Sequence, residues 1–155
     1  MKFRKATIED VPAIVAMIAD DKLGTTRENF KIPLPDVYYT AFKNIDSDPN
    51  QELIVVQNKA LEILGTLQLS FIQYLTYKGG IRAQIEAVRV RTDQRGTGLG
   101  TQLFEWAMKR AKQKGAHVIQ LTTDKKRSEA LHFYKKLGFK NSHEGMKLHL
   151  ISDDY

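Results

Sequence analysis

The segment from Val88 to Thr101 constrains the fold most, because it joins a predicted strand to a long helix through a turn with three alternate glycines: Gly96, Gly98 and Gly100. Glycine has no Cβ, so the backbone of such a turn can approach a ligand closely. The amides at the start of a helix are unpaired and the helix dipole adds positive potential, so phosphate is the natural occupant. Arg95, with Arg91 as a second candidate, can neutralise further negative charge. The pattern therefore predicts an anion-binding turn.

Two well-known phosphate-binding turns do not fit this segment. A Walker P-loop requires Lys followed by Ser or Thr after its last glycine, whereas Leu99-Gly100-Thr101 stands here. A dinucleotide fingerprint has the spacing Gly-x-Gly-x-x-Gly near a first strand, whereas this spacing is Gly-x-Gly-x-Gly in the middle of the chain. A turn that binds nothing remains as the alternative, although three glycines in five residues carry a cost in conformational entropy.

The rest of the pattern predicts the element order β-α-α-β-β-β-α-β-α-β, a mixed sheet flanked by helices in the α/β or α+β class. The first helix is expected to begin between Thr7 and Asp10, which have the spacing of a capping box. Residues 20–35 are predicted to form a loop. Further helices are predicted at residues 36–45, 98–114 and 127–137. Strands are predicted at residues 2–6, 52–57, 61–72, 82–91, 117–122 and 145–151.

Length and composition limit the class of protein. A chain of 155 residues suits one domain, so residues 1–155 are read as a single unit. No apolar run reaches the roughly 18 residues of a membrane span, and the N-terminus does not resemble a secretion signal, so we expect a cytoplasmic protein. The absence of cysteine excludes disulfides, thiolate metal sites and a cysteine nucleophile. The four histidines show no metal-ligand spacing, and we predict no metal.

The chain is basic, with a formal charge of +6 and a pI near 9.5. Such a balance favours anionic partners, and nucleic acid, a membrane surface or a phosphate-rich cofactor would all qualify. The basic residues are scattered and form no recognised nucleic-acid motif, so we expect neither nucleic acid nor a membrane as a partner. For most of the lysines, a solvated basic surface is the alternative interpretation.

Two blocks of the sequence resemble one enzyme family. Arg95-x-x-Gly98-x-Gly100 is similar to the signature Arg/Gln-x-x-Gly-x-Gly/Ala of the GNAT superfamily of N-acetyltransferases. The block that starts at Ala130 and contains Phe133-Tyr134 before Leu137-Gly138-Phe139 is similar to the family's Ala-x-x-Phe-Tyr-x-x-x-Gly-Phe segment. A strand is predicted between the two blocks, and the element order also agrees along nearly the whole chain. The resemblance implies a GNAT-type, mostly antiparallel sheet.

The resemblance further implies that acetyl-CoA is the acyl donor, bound in a V-shaped opening between the strand that ends near Arg91 and the strand at 117–122. Ile85 and Ala87 alternate in one phase, whereas Val88 and Val90 alternate in the other. This change of phase indicates a β-bulge, with chance or a strand buried on both faces as alternatives. Arg127 stands where the family often has Asn, so one hydrogen bond to the cofactor is in question. Arg127 can instead contact the phosphates of coenzyme A, or it can simply be a solvated residue at the start of a helix. The implied cofactor-binding residues are Val88, Arg89, Val90, Arg95, Gly96, Thr97, Gly98, Leu99, Gly100, Thr101 and Arg127.

By the same resemblance, Tyr134 would give a proton to the departing sulfur and the backbone N–H near Val90 would polarise the thioester carbonyl. Core packing is the alternative role for Tyr134. Glu86 is the candidate general base or a contact for a cationic substrate, and the alternatives are an exposed strand residue or an ion-pair partner of Arg82 or Arg89. Without cysteine, the expected route is direct attack by the amine in a ternary complex.

Three functions compete at this stage. The first is acetyl transfer to a primary amine of a small molecule or peptide; the second is a non-catalytic acyl-CoA sensor; the third is a nucleic-acid binder, argued from charge alone. The resemblance favours the enzyme and makes a homodimer possible. The acceptor, the acyl chain length and the oligomeric state are not contained in the sequence pattern.

Overall fold

A five-stranded sheet runs through the computed structural model, which describes residues 1–21 and 24–151. The strands lie side by side in chain order, and each of the first four is antiparallel to its neighbour, whereas the last is parallel to the fourth. This mixed, mostly antiparallel sheet confirms the predicted fold class. The strands are β1 (Lys2–Lys5), β2 (Gln51–Gln57), β3 (Ile63–Gln73), β4 (Ile81–Val90) and β5 (Val118–Gln120).

Helices cover both faces of the sheet. Their bounds are α1 (Val11–Ala19), α2 (Gly24–Arg27), α3 (Asp36–Ser47), the single turn α4 (Thr76–Gly79), α5 (Leu99–Gln113) and α6 (Ser128–Lys136). Residues of α1 and α3 pack on one face of the sheet, and those of α5 and α6 pack on the other. The crossover from β4 to β5 through α5 is the reason that these two strands are parallel. The predicted loop at 20–35 thus contains the short helix α2.

The start of the first helical segment has the predicted capping box. The Thr7 N–H donates to Asp10 Oδ2 at 2.8 Å, and a short 3-10 turn leads into α1. Asp10 is buried, and Arg4 on β1 donates to both of its carboxylate oxygens, at 2.7 and 2.9 Å. The same carboxylate therefore fixes the chain entering α1 and ties it to the edge strand of the sheet.

A β-bulge interrupts β4. Thr66 of β3 pairs with Arg89 and Gln68 pairs with Glu86, so two residues of β4 face one residue of β3 between these pairs. One of the two, Ala87, has φ 51°, a left-handed value that an L-residue seldom adopts. Because of the extra residue, the side chains after the bulge change phase, as the sequence pattern predicted.

The predicted strand at 145–151 is wrong, since the structure places no strand in this part of the chain. The alternation of apolar and polar residues there is typical of a strand, but a strand also needs a neighbour, and no other described strand pairs with this segment. Its apolar side chains stand largely in solvent: Met146 is 95% exposed and Leu150 is 90% exposed. The predicted strand at 117–122 is shorter, at three residues. Across the described residues, no helix is long and apolar enough to span a membrane.

Candidate active site

An opening separates the ends of β4 and β5. The two strands pair over only three residues, from Arg82 with Val118 to Gln84 with Gln120. Beyond this point β4 continues to Val90 with no strand on its β5 side among the residues described. Pairing between β4 and β5 therefore stops at Gln84 and Gln120, as the expected V-shaped splay requires, and the backbone of β4 beyond this point has a free edge.

The direction of the backbone groups on this edge follows from the strand geometry. The Arg91 N–H donates to the Leu64 carbonyl on the β3 side at 2.8 Å. Successive residues of a strand alternate, so the Val90 N–H points to the opposite side, towards the opening. The bulge sets this phase, and it leaves donors of β4 available to a ligand that lies along the edge.

The glycine-rich turn lies directly between β4 and α5. Gly96 has φ 77° and Gly98 has φ 88°, values that favour glycine, and a Cβ at either position would meet nothing within 4 Å. Gly98 is the residue that precedes the first turn of α5. The first amides of an α-helix have no acceptor inside the helix, and no other acceptor occurs for those of Leu99 to Thr101 within the described ranges. The turn thus presents free N–H donors beside open space.

The two arginines near this turn differ in their contacts. Arg91 donates to Asp93 from two nitrogens, at 2.7 and 2.8 Å, and lies 3.7 Å from Glu62. Arg95 is exposed and has no ion-pair partner among residues 1–21 and 24–151. Thr97 directs its hydroxyl to the Gln94 carbonyl at 2.6 Å, which holds the turn together. Arg95 is therefore the cation of this turn that an anion can recruit without breaking an ion pair.

Tyr134 lies on α6 against the α5 side of the core. Its ring packs 5.5 Å from that of Phe104 and 6.2 Å from that of Phe139, centre to centre. Burial raises the pKa of the Tyr134 phenol, and the positive charges of Arg127 and Arg89 offset only part of this rise. The hydroxyl therefore keeps its proton at neutral pH and can serve as a hydrogen-bond donor.

Glu86 lies on β4 directly before the bulge, and its side chain is exposed. The Gln84 amide donates to Glu86 Oε1 at 3.3 Å, and the described structure shows no ion pair between Glu86 and either Arg82 or Arg89. The carboxylate is thus solvent-exposed, with one described hydrogen bond and no described ion pair.

Arg89 and Arg127 belong to a cluster that the sequence pattern did not indicate. Arg127 Nη1 donates to Asp21 Oδ1 at 3.0 Å, its Nη2 donates to Asp21 Oδ2, and Arg89 Nη2 lies 3.5 Å from Asp21 Oδ2. Arg89 also donates to the Val88 carbonyl at 2.7 Å. These residues are up to 106 positions apart in the chain, so only the fold brings them together.

No group of three or more His, Cys, Asp or Glu side chains that could hold a metal ion occurs within the described ranges. His117, which directly precedes β5, hydrogen-bonds instead to the Tyr74 hydroxyl and lies within a group of aromatic rings. This group lies at the start of β4, at the other end of the strand from the bulge.

Comparison with known proteins identifies relatives that match most of the chain. An L-methionine sulfoximine/L-methionine sulfone acetyltransferase of Pseudomonas aeruginosa is 29% identical over 140 residues, which cover 90% of this chain and 80% of that protein. An aminoalkylphosphonate N-acetyltransferase of Salmonella typhimurium is 29% identical over 146 residues, which cover 92% of this chain and 86% of that protein.

Among solved structures, a protein of Bacillus halodurans described as a transcriptional regulator is 54% identical, with a TM-score of 0.93 over 96% of this chain and 99% of that one. The acetyltransferase (GNAT) family matches residues 17–139, a range that includes the bulged strand, the glycine-rich turn and Tyr134. From the splayed sheet, the turn between β4 and α5 and this match, we conclude that the chain belongs to the acetyltransferase (GNAT) family.

Proposed function

We propose that the chain transfers the acetyl group of acetyl-CoA to the primary amine of a small molecule, by direct attack of the amine in a ternary complex. The observation that carries this proposal is the continuous path from the free edge of β4 to the unpaired amides at the start of α5. A flexible amide-containing arm fits the strand edge, and a pyrophosphate fits the helix start.

Different residues along this path would bind different parts of the cofactor. The backbone of Val88 and Val90 would pair with the pantetheine arm as an added strand does, while the amides from Gly96 to Thr101 would receive the pyrophosphate. Arg95 would supply the neutralising charge, since it has no ion pair to give up within the described structure. The open space beside Gly96 and Gly98 gives the phosphates room to approach the backbone.

Tyr134 and Val90 would stabilise the charges that develop during transfer. The amine nitrogen forms a bond to the acetyl carbon while the bond from that carbon to sulfur breaks, and the Val90 N–H would donate to the carbonyl oxygen as it becomes negative. The Tyr134 hydroxyl would donate to the leaving sulfur. Because the pKa of Tyr134 is raised above its ordinary value, it stabilises the thiolate chiefly as a hydrogen-bond donor. The proton that the amine loses to its base is afterwards transferred through solvent to the thiolate and completes the thiol.

Glu86 would accept the proton from the attacking amine, directly or through a water molecule. Its exposed position on the strand that carries the reacting edge supports this role. An exposed carboxylate can be replaced by solvent, so we expect that loss of Glu86 slows turnover less than loss of Tyr134.

The named activities of two relatives bear on the acceptor. L-methionine sulfoximine and L-methionine sulfone are amino acids with a carboxylate, and an aminoalkylphosphonate has a phosphonate. In both cases a primary amine and an anionic group lie on one small molecule. We propose that the acceptor of this chain has the same two groups.

Release of free thiol from acetyl-CoA with a panel of small amines tests the proposed reaction. Tyr134→Phe should lower kcat by about 10²-fold, because the loss of one hydrogen-bond donor to a developing negative charge typically costs that much, while stabilisation by acetyl-CoA stays as in the wild type. Tyr39→Phe is the matched control, since Tyr39 packs on the other side of the sheet. Unchanged turnover in Tyr134→Phe would remove this residue from the mechanism, and no thiol release with any amine would contradict the proposed function.

A further inference from the structure

Three segments of the chain meet at the cluster of Asp21, Arg89 and Arg127. Asp21 follows α1, Arg89 lies on β4 just past the bulge, and Arg127 directly precedes α6. Their side chains are 15%, 18% and 32% exposed, so the charges are largely withdrawn from water but still reachable. The cluster adjoins the free edge of β4, since Arg89 follows Val88 and precedes Val90.

The charges of this cluster do not balance. Two guanidinium groups, those of Arg89 and Arg127, share the one carboxylate of Asp21. Arg27 also repels Arg89, but it is paired with Glu28 at 2.9 Å and adds nothing to the excess. Burial lowers the pKa of the Arg89 guanidinium, and repulsion by Arg127 and Arg27 lowers it further. The Asp21 carboxylate acts in the opposite direction and raises this pKa. A partly buried excess of positive charge costs free energy that a second anion would recover.

Unused hydrogen-bonding capacity accompanies the excess charge. Arg89 Nε is buried and has no acceptor within the described structure, and the buried Thr123 hydroxyl, which follows β5, has no partner there either. Arg82 Nε, near the start of β4, is a third such atom, so only the Arg89 Nε orphan belongs to the cluster itself. Buried polar atoms are nearly always paired in folded proteins, and the unused Arg89 donor is therefore available to a polar ligand.

The cluster also lies close to the reacting groups. Arg89 stands next to Val90 on β4, and Arg127 directly precedes α6, the helix that carries Tyr134. In agreement with this placement, the positive charges of both arginines act to lower the pKa of the Tyr134 phenol. An anion bound at the cluster would hold an amine on the same small molecule near Tyr134 and the Val90 N–H. A guanidinium receives carboxylate and phosphonate oxygens in pairs, as Arg127 already receives Asp21.

We propose that Arg89 and Arg127 form the subsite for the anionic group of the amine acceptor, a carboxylate or a phosphonate, and that Asp21 occupies this subsite in the absence of the acceptor. This assignment rests on the proposed acetyltransferase function and locates its specificity. It places Arg127 on the acceptor side of the reaction and replaces the cofactor contact that the family resemblance implied for this residue. Arg89 and Arg127 select the acceptor, and Tyr134 and the β4 edge act on the acetyl group.

Matched pairs of amines test the subsite on the wild-type protein. The pairs are an L-amino acid with its amide, and 2-aminoethylphosphonate with 2-aminoethanol, and the measurement is kcat/KM at saturating acetyl-CoA. The anionic member of at least one pair should be preferred by about 10²-fold, since each hydrogen bond between charged groups contributes strongly to recognition. A preference in the first pair identifies a carboxylate, and one in the second identifies a phosphonate.

Failure of the subsite and failure of the proposed function give different results. Equal kcat/KM values within both pairs overturn the subsite and leave acetyl transfer intact. If no amine is acetylated, the proposed function fails, and calorimetry with the same four amines and CoA-saturated protein then decides the subsite alone. In that experiment, binding of an anionic member only supports the subsite, and no difference within the pairs overturns it.

Two substitutions that should change KM for the anionic amine in opposite directions complete the test. Arg127→Gln should raise KM for the anionic amine by at least about tenfold and leave KM for acetyl-CoA within twofold. Asp21→Asn should lower KM for the same amine, because it removes the carboxylate that competes for the arginines. Arg110→Gln is the control, since Arg110 on α5 forms a similar ion pair with the buried Glu52 of β2, away from the Asp21 cluster.

A rise in KM for acetyl-CoA alone in Arg127→Gln would assign this residue to the cofactor and overturn the proposal. So would an unchanged KM for the anionic amine in both Arg127→Gln and Asp21→Asn. If Arg127→Gln does not fold, the sign of the Asp21→Asn effect and the wild-type selectivity still decide between the outcomes.

Discussion

Alanine at Gly98 separates the conformational role of this glycine from its role in binding. Gly98 has φ 88° and a Cβ there would meet no atom within 4 Å. Gly115, which follows α5 at its other end, has φ 80° and the same open surroundings. The two positions therefore impose the same backbone requirement, and only Gly98 adjoins the proposed pyrophosphate site.

The magnitude of the stability change follows from the backbone alone. A left-handed conformation costs an L-residue roughly 1–2 kcal/mol, and the stiffer unfolded chain returns about 0.4–1 kcal/mol of this. Both Gly98→Ala and Gly115→Ala should thus lower the free energy of unfolding by about 1 kcal/mol. For a chain of this size, that corresponds to a fall in Tm of about 2–4 °C.

The binding of acetyl-CoA should distinguish the two variants. The added methyl group at Gly98 keeps a phosphate from the amides, and the loss of one hydrogen bond to a charged group weakens Kd by at least about tenfold. Calorimetric titration gives Kd, and thermal denaturation with and without acetyl-CoA gives the linked stabilisation. Equal acetyl-CoA affinity in Gly98→Ala and Gly115→Ala would refute the position of the pyrophosphate, even if both variants lose the predicted stability.

Three further predictions concern stability and association. Burial alone would raise the pKa of Asp10, but the hydrogen bonds from Arg4 and Thr7 outweigh it and hold this pKa below its ordinary 3.8. The stability that the Asp10 carboxylate contributes should therefore be present above about pH 4 and be lost as the pH falls below it. Asp10→Asn should flatten this part of a curve of unfolding free energy against pH. Leu103→Ala, at a fully buried site on α5, should cost about 2–5 kcal/mol in chemical denaturation. The exposed apolar segment 146–151 should pair with a second copy of the chain, so sedimentation should show concentration-dependent dimers that Leu148→Glu weakens; a monomer at all concentrations would contradict this.

Features that depend on neighbouring residues were predictable from the sequence. The turn at Gly96 and Gly98 follows from glycine's access to positive φ, and α5 follows from its apolar stripe, which is buried at Leu99 and Leu103. The bulge was visible because the phase of alternation changes within one strand. Local conformational preference and side-chain periodicity determine all three features.

Features that depend on distant partners were not predictable in this way. The contact of Asp21 with Arg127 exists only because α1 ends and α6 begins near the same opening, and no pattern near either residue marks it. The predicted strand at 145–151 was wrong for the same reason, since alternation reports that one face of a segment is apolar but not that a neighbouring strand is present. The pairing of Arg4 with Asp10 likewise required the position of β1 relative to α1.

The extra residue at Ala87 makes the length of β4 as important as its composition. Deleting one residue between Ile85 and Val90 would move each following side chain of β4 to the opposite face of the sheet. Val88 and Val90 would leave the face covered by α5, and Arg89 would enter it. The backbone N–H groups that now point to the free edge of β4 would point towards β3. A substitution in this stretch changes one contact, whereas a single-codon deletion would remove the proposed cofactor-binding amides and the arginine cluster together. Changes of side chain at these positions should therefore be tolerated far better than a change in the length of β4.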